Sequence, residues 1–271
     1  AAGGAGRERV TRQVARLVRL EWPRPPDAAA LVVLGEVAIE AGVFISGFDD
    51  LPAGWAAECA ADRRHAALPA LLATATAVDT AARLVGAVPA VQPLRGVARE
   101  AAEQAFAQAF AGLASRATHR TADSVLELDD LAPAGAGAPC GRWLGDARRG
   151  RDVAERCRRT RPIVHVRHPR ETILRGAWPA QGTLVVEGDL RLAPGVVLHG
   201  VVLVRGRLTL ERAVSRSAPQ LSGLIVVRDH AGRGSRLAGG TVTLGQCAAR
   251  HALATAAVAV PERRRGWQQR P

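Results

Sequence analysis

From Leu184 to Leu210 the chain alternates in a single phase. Leu184, Val186, Leu190, Leu192, Val196, Leu198, Val202, Val204, Leu208 and Leu210 all fall on even positions, with Gly188, Gly200 and Gly206 in the same register. The odd positions between them carry Glu187, Asp189, Arg191, His199, Arg205 and Arg207. One uninterrupted strand of this length is improbable in a globular protein. The pattern therefore predicts several short strands joined by tight corners, with the glycines at the corners. The stretch also repeats. TLVVEGDLRL (183–192) aligns with VVLVRGRLTL (201–210) at an offset of 18, and GVVLVRGR (200–207) with GLIVVRDH (223–230) at an offset of 23. A strand recurring at such intervals with one face always apolar is the signature of a parallel β-helix or β-roll. An antiparallel meander alternates too and is the alternative. In the coil, neighbouring turns place Glu187 beside Arg205 and Asp189 beside Arg207, opposite charges that favour the register.

The same pattern returns far upstream. LVVLGEVAIEAGVFISG (31–47) matches LVVEGDLRLAPGVVLHG (184–200) at Leu31, Val32, Val33, Gly35, Gly42, Val43 and Gly47. The two copies are expected to share one β architecture, with Gly35 and Gly188 at equivalent corners. The resulting fold class is mainly β, a parallel β-helix or β-roll-like stack with a helical insertion and a short C-terminal helix. Residues 1–27 form an N-terminal segment, 28–260 a single domain interrupted by an insertion at 48–160, and 261–271 a basic tail. Within the insertion, Val97–Ala117 is the strongest helix, because Phe106, Phe110 and Leu113 fall on one face. QCAARHAL (246–253) reads as a closing helix.

Composition narrows the partners. Lys, Asn, Tyr and Met are absent, so all 37 cations are Arg and the net charge is +12. A GC-rich genome explains that usage. The charge still concentrates, notably at Arg158 and Arg159 and at Arg263, Arg264 and Arg265. These are the candidate contacts for an anionic polymer, DNA or polysaccharide; a solvated surface is the plainer reading. No apolar run reaches the length of a membrane span. With no initiator Met, the sequence is expected to continue upstream.

Four cysteines, Cys59, Cys140, Cys157 and Cys247, include no CxxC pair, which leaves a zinc site poorly supported. An even count fits two disulfides in an oxidising compartment. Cys140–Cys157 would order a Gly- and Arg-rich loop, and Cys59–Cys247 would tie the N-terminal half to the C-terminal end. Buried free thiols are the alternative.

Catalytic signatures are sparse. There is no P-loop, no HExxH and no EF-hand loop. GRGSRLAGG (232–240) lacks the Lys and the helix that a phosphate loop needs. His165, His168 and His199 are read as solvent-facing rather than metal ligands. Asp49–Asp50 and Asp129–Asp130 are read as turn residues that satisfy backbone N–H groups. A carbohydrate enzyme would need acids on successive turns of the exposed face; here Glu187 and Asp189 oppose Arg205 and Arg207. No catalytic, cofactor or metal residues are assigned.

PIVHV (162–166), GTLVVEGDLRL (182–192), HGVVLVRGRLTL (199–210) and LAGGTVTLGQCAARHAL (237–253) together resemble pilus-assembly proteins of the PilX, minor-pilin-like type. VRLEWPRPPDAAALVV (18–33) and GFDDLPAGWAAEC (47–59) add to the likeness, and the G-x-L-x-V-x-G-D-L run is shared with polymer-forming bactofilins. The resemblance implies a non-catalytic extracytoplasmic domain (periplasm, cell surface or secreted) with no cofactor. It implies partners among other pilin-like or envelope subunits. Membrane contact would come only through an N-terminal hydrophobic helix that this sequence does not contain.

Overall fold

A computed structural model describes residues 28–51, 55, 59, 66–128, 161–177, 179–213 and 217–261, together with 14–15, 18–21, 145–146 and 268–269. The chain divides into two units. The smaller comprises residues 1–22 and 257–271. In it β1 (Val14–Ala15) pairs antiparallel with β21 (Gln268–Gln269), and β2 (Val18–Glu21) pairs antiparallel with β20 (Val258–Pro261).

The larger unit, residues 23–256, is a coil of parallel strands, save Gly145–Asp146, which pairs antiparallel with Gln181 and Ala180. It begins with β3 (Leu31–Ile39), β4 (Val43–Asp49), β5 (Leu71–Val78), β6 (Arg83–Val85) and β7 (Val91–Pro93). Helix α1 (Gly96–Ser115) follows, then β8 (His119–Thr121), β9 (Val125–Glu127) and β10 (Gly145–Asp146). Next come β11 (Ile163–Val166), β12 (Glu171–Arg175), β13 (Pro179–Val186), β14 (Asp189–Leu192), β15 (Val197–Val204) and β16 (Leu208–Leu210). The unit closes with β17 (Gln220–Val227), β18 (Ser235–Leu237), β19 (Gly240–Leu244) and α2 (Gln246–Ala254).

Three columns of strands surround one apolar interior. The first stacks the leading halves of β13, β15 and β17, then β19, β4 and β6. The second runs β8, β11, the trailing halves of β13, β15 and β17, then β3, β5 and β7. The third runs β9, β12, β14, β16, β18 and the trailing halves of β3 and β5. The parallel registers exclude the meander. They also reproduce both sequence offsets, because Thr183 pairs with Val201 and Val201 with Leu224. Leu184, Val186, Leu190, Leu192, Val202, Val204, Leu208 and Leu210 all lie in the core with almost no exposure.

Glycine is required where two strands share a corner. Gly200 has φ +135°, and a Cβ there would lie 2.1 Å from the Gly182 carbonyl oxygen. At Gly188 a Cβ would meet the Arg170 carbonyl oxygen at 1.9 Å. Gly35 holds the equivalent place, as expected, but there its neighbour is the Asp229 side chain at 3.3 Å, and its φ is not positive. The equivalence holds; the tightness does not carry across.

The chain does not climb the stack in sequence order. Residues 119–244 build one end and the middle, and β3 then continues the coil directly above β17 and β18. Ile225–Val227 pairs with Leu31–Val33, and β19 completes the turn whose other sides are β3. Two stretches just over 200 positions apart, β3 and β19, thus form one spliced turn. The stretch 48–160 is no bystander, since β5–β9 within it supply turns at both ends of the stack.

Helix α1 resolves the connection. Its neighbours in sequence, β7 and β8, are at opposite ends of the second column. Seven interstrand steps of about 4.8 Å make that column roughly 34 Å long. A 20-residue helix covers about 30 Å. Phe106, Ala109, Phe110 and Leu113 are buried, and the helix packs on β11, β13 and β3. This covering explains Val185, Val201 and Leu203, outward-pointing residues that are fully buried. The first column is covered likewise by α2, which packs on β13, β15 and β17. The strands are therefore apolar on both faces, a feature of parallel sheets under helices.

Candidate functional site

No described helix covers the third column, and its outward face is a lattice of opposite charges. Arg191 contacts Glu171 at 2.5 Å and Glu211 at 3.4 Å. Arg207 contacts Asp189 at 3.2 Å and Glu171 at 3.7 Å. Arg236 and Arg212 both hold Glu40, at 2.5 and 3.1 Å. Arg175 pairs with Glu127 at the β9 end. The Arg236 hydrogen bond, aided by the charges of Arg236 and Arg212, holds the Glu40 carboxyl below the usual range despite an opposing push from burial. Between these side chains lies an open trough of about 370 Å³, lined by Glu171, Arg191, Arg207, Thr209, Glu211 and Arg212 among others.

The two ion pairs expected from the repeat are present: Glu187–Arg205 at 2.5 Å and Asp189–Arg207. Both acids are more deeply engaged than alternation suggests. Asp189 is only 3% exposed, accepts the Arg207 backbone N–H at 3.1 Å and meets Arg233 at 2.6 Å. Glu187 also meets His165 Nε2 at 3.0 Å.

That contact corrects the reading of His165 as solvent-facing. The imidazole is buried, edge-on to Phe110, beneath α1. Arg205 completes the group with its guanidinium 4.1 Å from the Phe110 ring centre. The cluster fastens the helix to the stack. Periodicity along β11 could not show it, because the covering helix comes from a different part of the chain. His168 and His199 are half-buried. His199 faces the Trp55 ring at 5.9 Å.

The other singled-out motifs resolve into structural contacts. Asp229 accepts the N–H groups of Ala231 and Gly234, so the loop containing GRGSRLAGG is closed by its own carboxylate. Asp49 accepts the Gln246 N–H at 2.8 Å and so caps α2 from the opposite half of the chain. Beside it, Cys59 and Cys247 form the expected disulfide, with Cα atoms 5.8 Å apart and 188 positions between them. Trp55 and Ala248 pack over the two sulfurs, which are fully buried. The Trp55 indole, missed by the sequence reading, thus seals the bridge that fastens the spliced turn. Cys140, Cys157, Asp129, Asp130, Arg158, Arg159, Arg263, Arg264 and Arg265 lie outside the described residues.

The two ends of the stack differ. At the β8–β9 end, Leu126 and Leu128 are fully buried. At the β5–β7 end, the interior reaches the surface. Val78 is 40% exposed, and Leu84 and Val91 are half-buried. Their register partners one turn inside, Ile39, Ile45 and Leu71, are 2% exposed or less. No described helix is long and apolar enough to cross a membrane. No family model, curated protein or solved structure matches this chain.

Proposed function

We propose that this protein is a non-catalytic, extracytoplasmic structural component of pilus-assembly, minor-pilin-like type. In this reading the stack is a stiff spacer, and its β5–β7 end is where another pilin-like or envelope subunit joins. The open end carries the proposal. Among the described residues it presents strand edges around Val78, Leu84 and Val91 that no further strand pairs, and an exposed ladder of this kind accepts a further strand. The disulfide is in keeping with an oxidising compartment. The outward acids that a carbohydrate enzyme would need are instead held by arginines, as at Asp189 and Glu171.

The test is a Val78→Asp/Val91→Asp variant in the native host. Loss of surface assembly, with unchanged folding of the purified chain, is the expected result. Normal assembly by the variant refutes the proposal. A prepilin cleavage site and about 20 apolar residues in the upstream coding sequence would independently support the pilin-type anchor.

One observation favours a second reading, the binding of an anionic polymer. Among residues with described side chains, 17 Arg face 14 acids, an excess of three out of the net charge of +12. The remaining excess lies in the other segments, which contain Arg158, Arg159, Arg263, Arg264 and Arg265. Retention on heparin that falls steeply with salt supports this reading. Unchanged retention in an Arg263→Ala/Arg264→Ala/Arg265→Ala variant removes the tail from it.

A further inference from the structure

The disulfide has a third partner. The ligand atoms of Cys59, Cys247 and His251 all lie within 4.8 Å of one another. Cys247 and His251 are four residues apart on α2, so both project from one face of the helix. Cys59 approaches from the other half of the chain. Both sulfurs are buried, and the Trp55 ring stands edge-on to the imidazole at 6.3 Å, with the Arg161 guanidinium 5.3 Å from the Trp55 ring centre.

We propose that Cys59, Cys247 and His251 form a redox-gated site for a thiophilic d10 cation, with Zn2+ as its natural probe. In the oxidised protein the two sulfurs bond to each other and the site is closed. A dithiol reductant supplies two electrons, breaks the S–S bond and becomes a cyclic disulfide, leaving two thiols. Zn2+ then displaces their two protons and takes two thiolates and the imidazole. Zinc bonds of about 2.3 Å to sulfur and about 2.0 Å to nitrogen place ligand atoms roughly 3.5–3.8 Å apart in a tetrahedron. The existing cluster reaches that spacing by parting the sulfurs by less than 2 Å and drawing the imidazole nitrogen, which lies within 4.8 Å of them, into bonding range. Three protein ligands leave the fourth position to water or an added ligand. Metal and disulfide are then alternative staples for the same splice: the cation holds Cys59 and α2 together when the covalent bond cannot.

The experiment uses the full chain with Cys140→Ser and Cys157→Ser, so that only the proposed thiols remain. Reduced protein is titrated with Zn2+ against a chromophoric chelator, and with Co2+ to read thiolate charge-transfer absorption. The expected result is one equivalent of Zn2+ bound, a Co2+ spectrum diagnostic of two thiolates, and no binding after reoxidation. His251→Ala should weaken Zn2+ binding at least tenfold while retaining the disulfide under oxidising conditions. Thermal melting of the reduced protein should shift upward with Zn2+. Absence of stoichiometric binding, equal binding by His251→Ala, or equal binding by oxidised protein would each overturn the proposal. A reduced chain that stays unfolded in excess Zn2+ overturns it as well, because a site at the splice must stabilise the fold it requires.

Discussion

The middle of the stack and its β5–β7 end are built from the same kind of strand, yet they bury it differently. Leu190 and Leu208 in the middle are fully enclosed, whereas Val78, inward-facing on the last turn of the third column, is 40% exposed. In a solenoid each turn shields its neighbours, so a residue's burial depends on what lies above and below it more than on its own segment. The middle is stability; the end, lacking a neighbour, is a surface.

The largest test of this contrast sets Leu190→Asp against Val78→Asp. Aspartate at 190 puts an unpaired charge in the core and should cost at least about 4 kcal/mol, enough to unfold many domains. At 78 solvent reaches the carboxylate, and the cost should stay below about 1 kcal/mol. Urea denaturation of both variants measures the difference; similar losses would mean that the end is covered. Arg191→Asp leaves the core intact but confronts Glu171 and Glu211, so its cost should fall between these two.

Next comes the splice. Cys247→Ser removes a bridge that closes a loop of almost 200 residues and should cost about 5 kcal/mol on a loop-entropy estimate. Hydrogen exchange should show protection lost first in β3–β7, above the splice. Uniform loss along the stack would mean that the two halves do not unfold as separate units.

Gly200→Ala tests a single corner. With φ +135° and the Gly182 oxygen in the way, it should destabilise by roughly 2–3 kcal/mol. Gly42→Ala, at φ +85° but with open space around it, should cost less, about 1 kcal/mol. Equal effects in thermal melts would assign the whole cost to φ and none to stacking.

The smallest effect concerns pH. Burial, then the charges of Arg228 and Arg205, push the His230 pKa down from its ordinary value. The unfolded chain therefore takes up the proton more readily, and stability falls as pH drops below about 6.5. Glu40, held low by Arg236 and Arg212, acts in the same direction at lower pH, where its protonation loses the pairing. His230→Gln should flatten the limb near pH 6, and Glu40→Gln only the more acidic limb. Stability that rises on acidification would contradict both.

Much of the coil was legible. The offsets of 18 and 23, the inward set of leucines and valines, the Glu187–Arg205 and Asp189–Arg207 pairs and the kinship of 31–47 with 184–200 follow from period and phase alone. Helix α1 was legible from Phe106, Phe110 and Leu113. Less so was β8, only three residues long, because a strand that short has no period to read. His165 was misread for a related reason: alternation says which way a side chain points, not whether another element covers that face.

By itself the sequence determined the turn of the coil, since a two-residue period with glycine corners admits few other structures. Only the tertiary structure decided the order in which the turns stack. It put β3 on β17 and Asp49 on the N-terminus of α2, and it brought Trp55, Cys59, Cys247 and His251 to one place. The physical reason is that parallel ladders bond equally well to any turn of matching register. The choice among them is made by long-range contacts: the span of α1, the disulfide and the apolar surface each turn must hide.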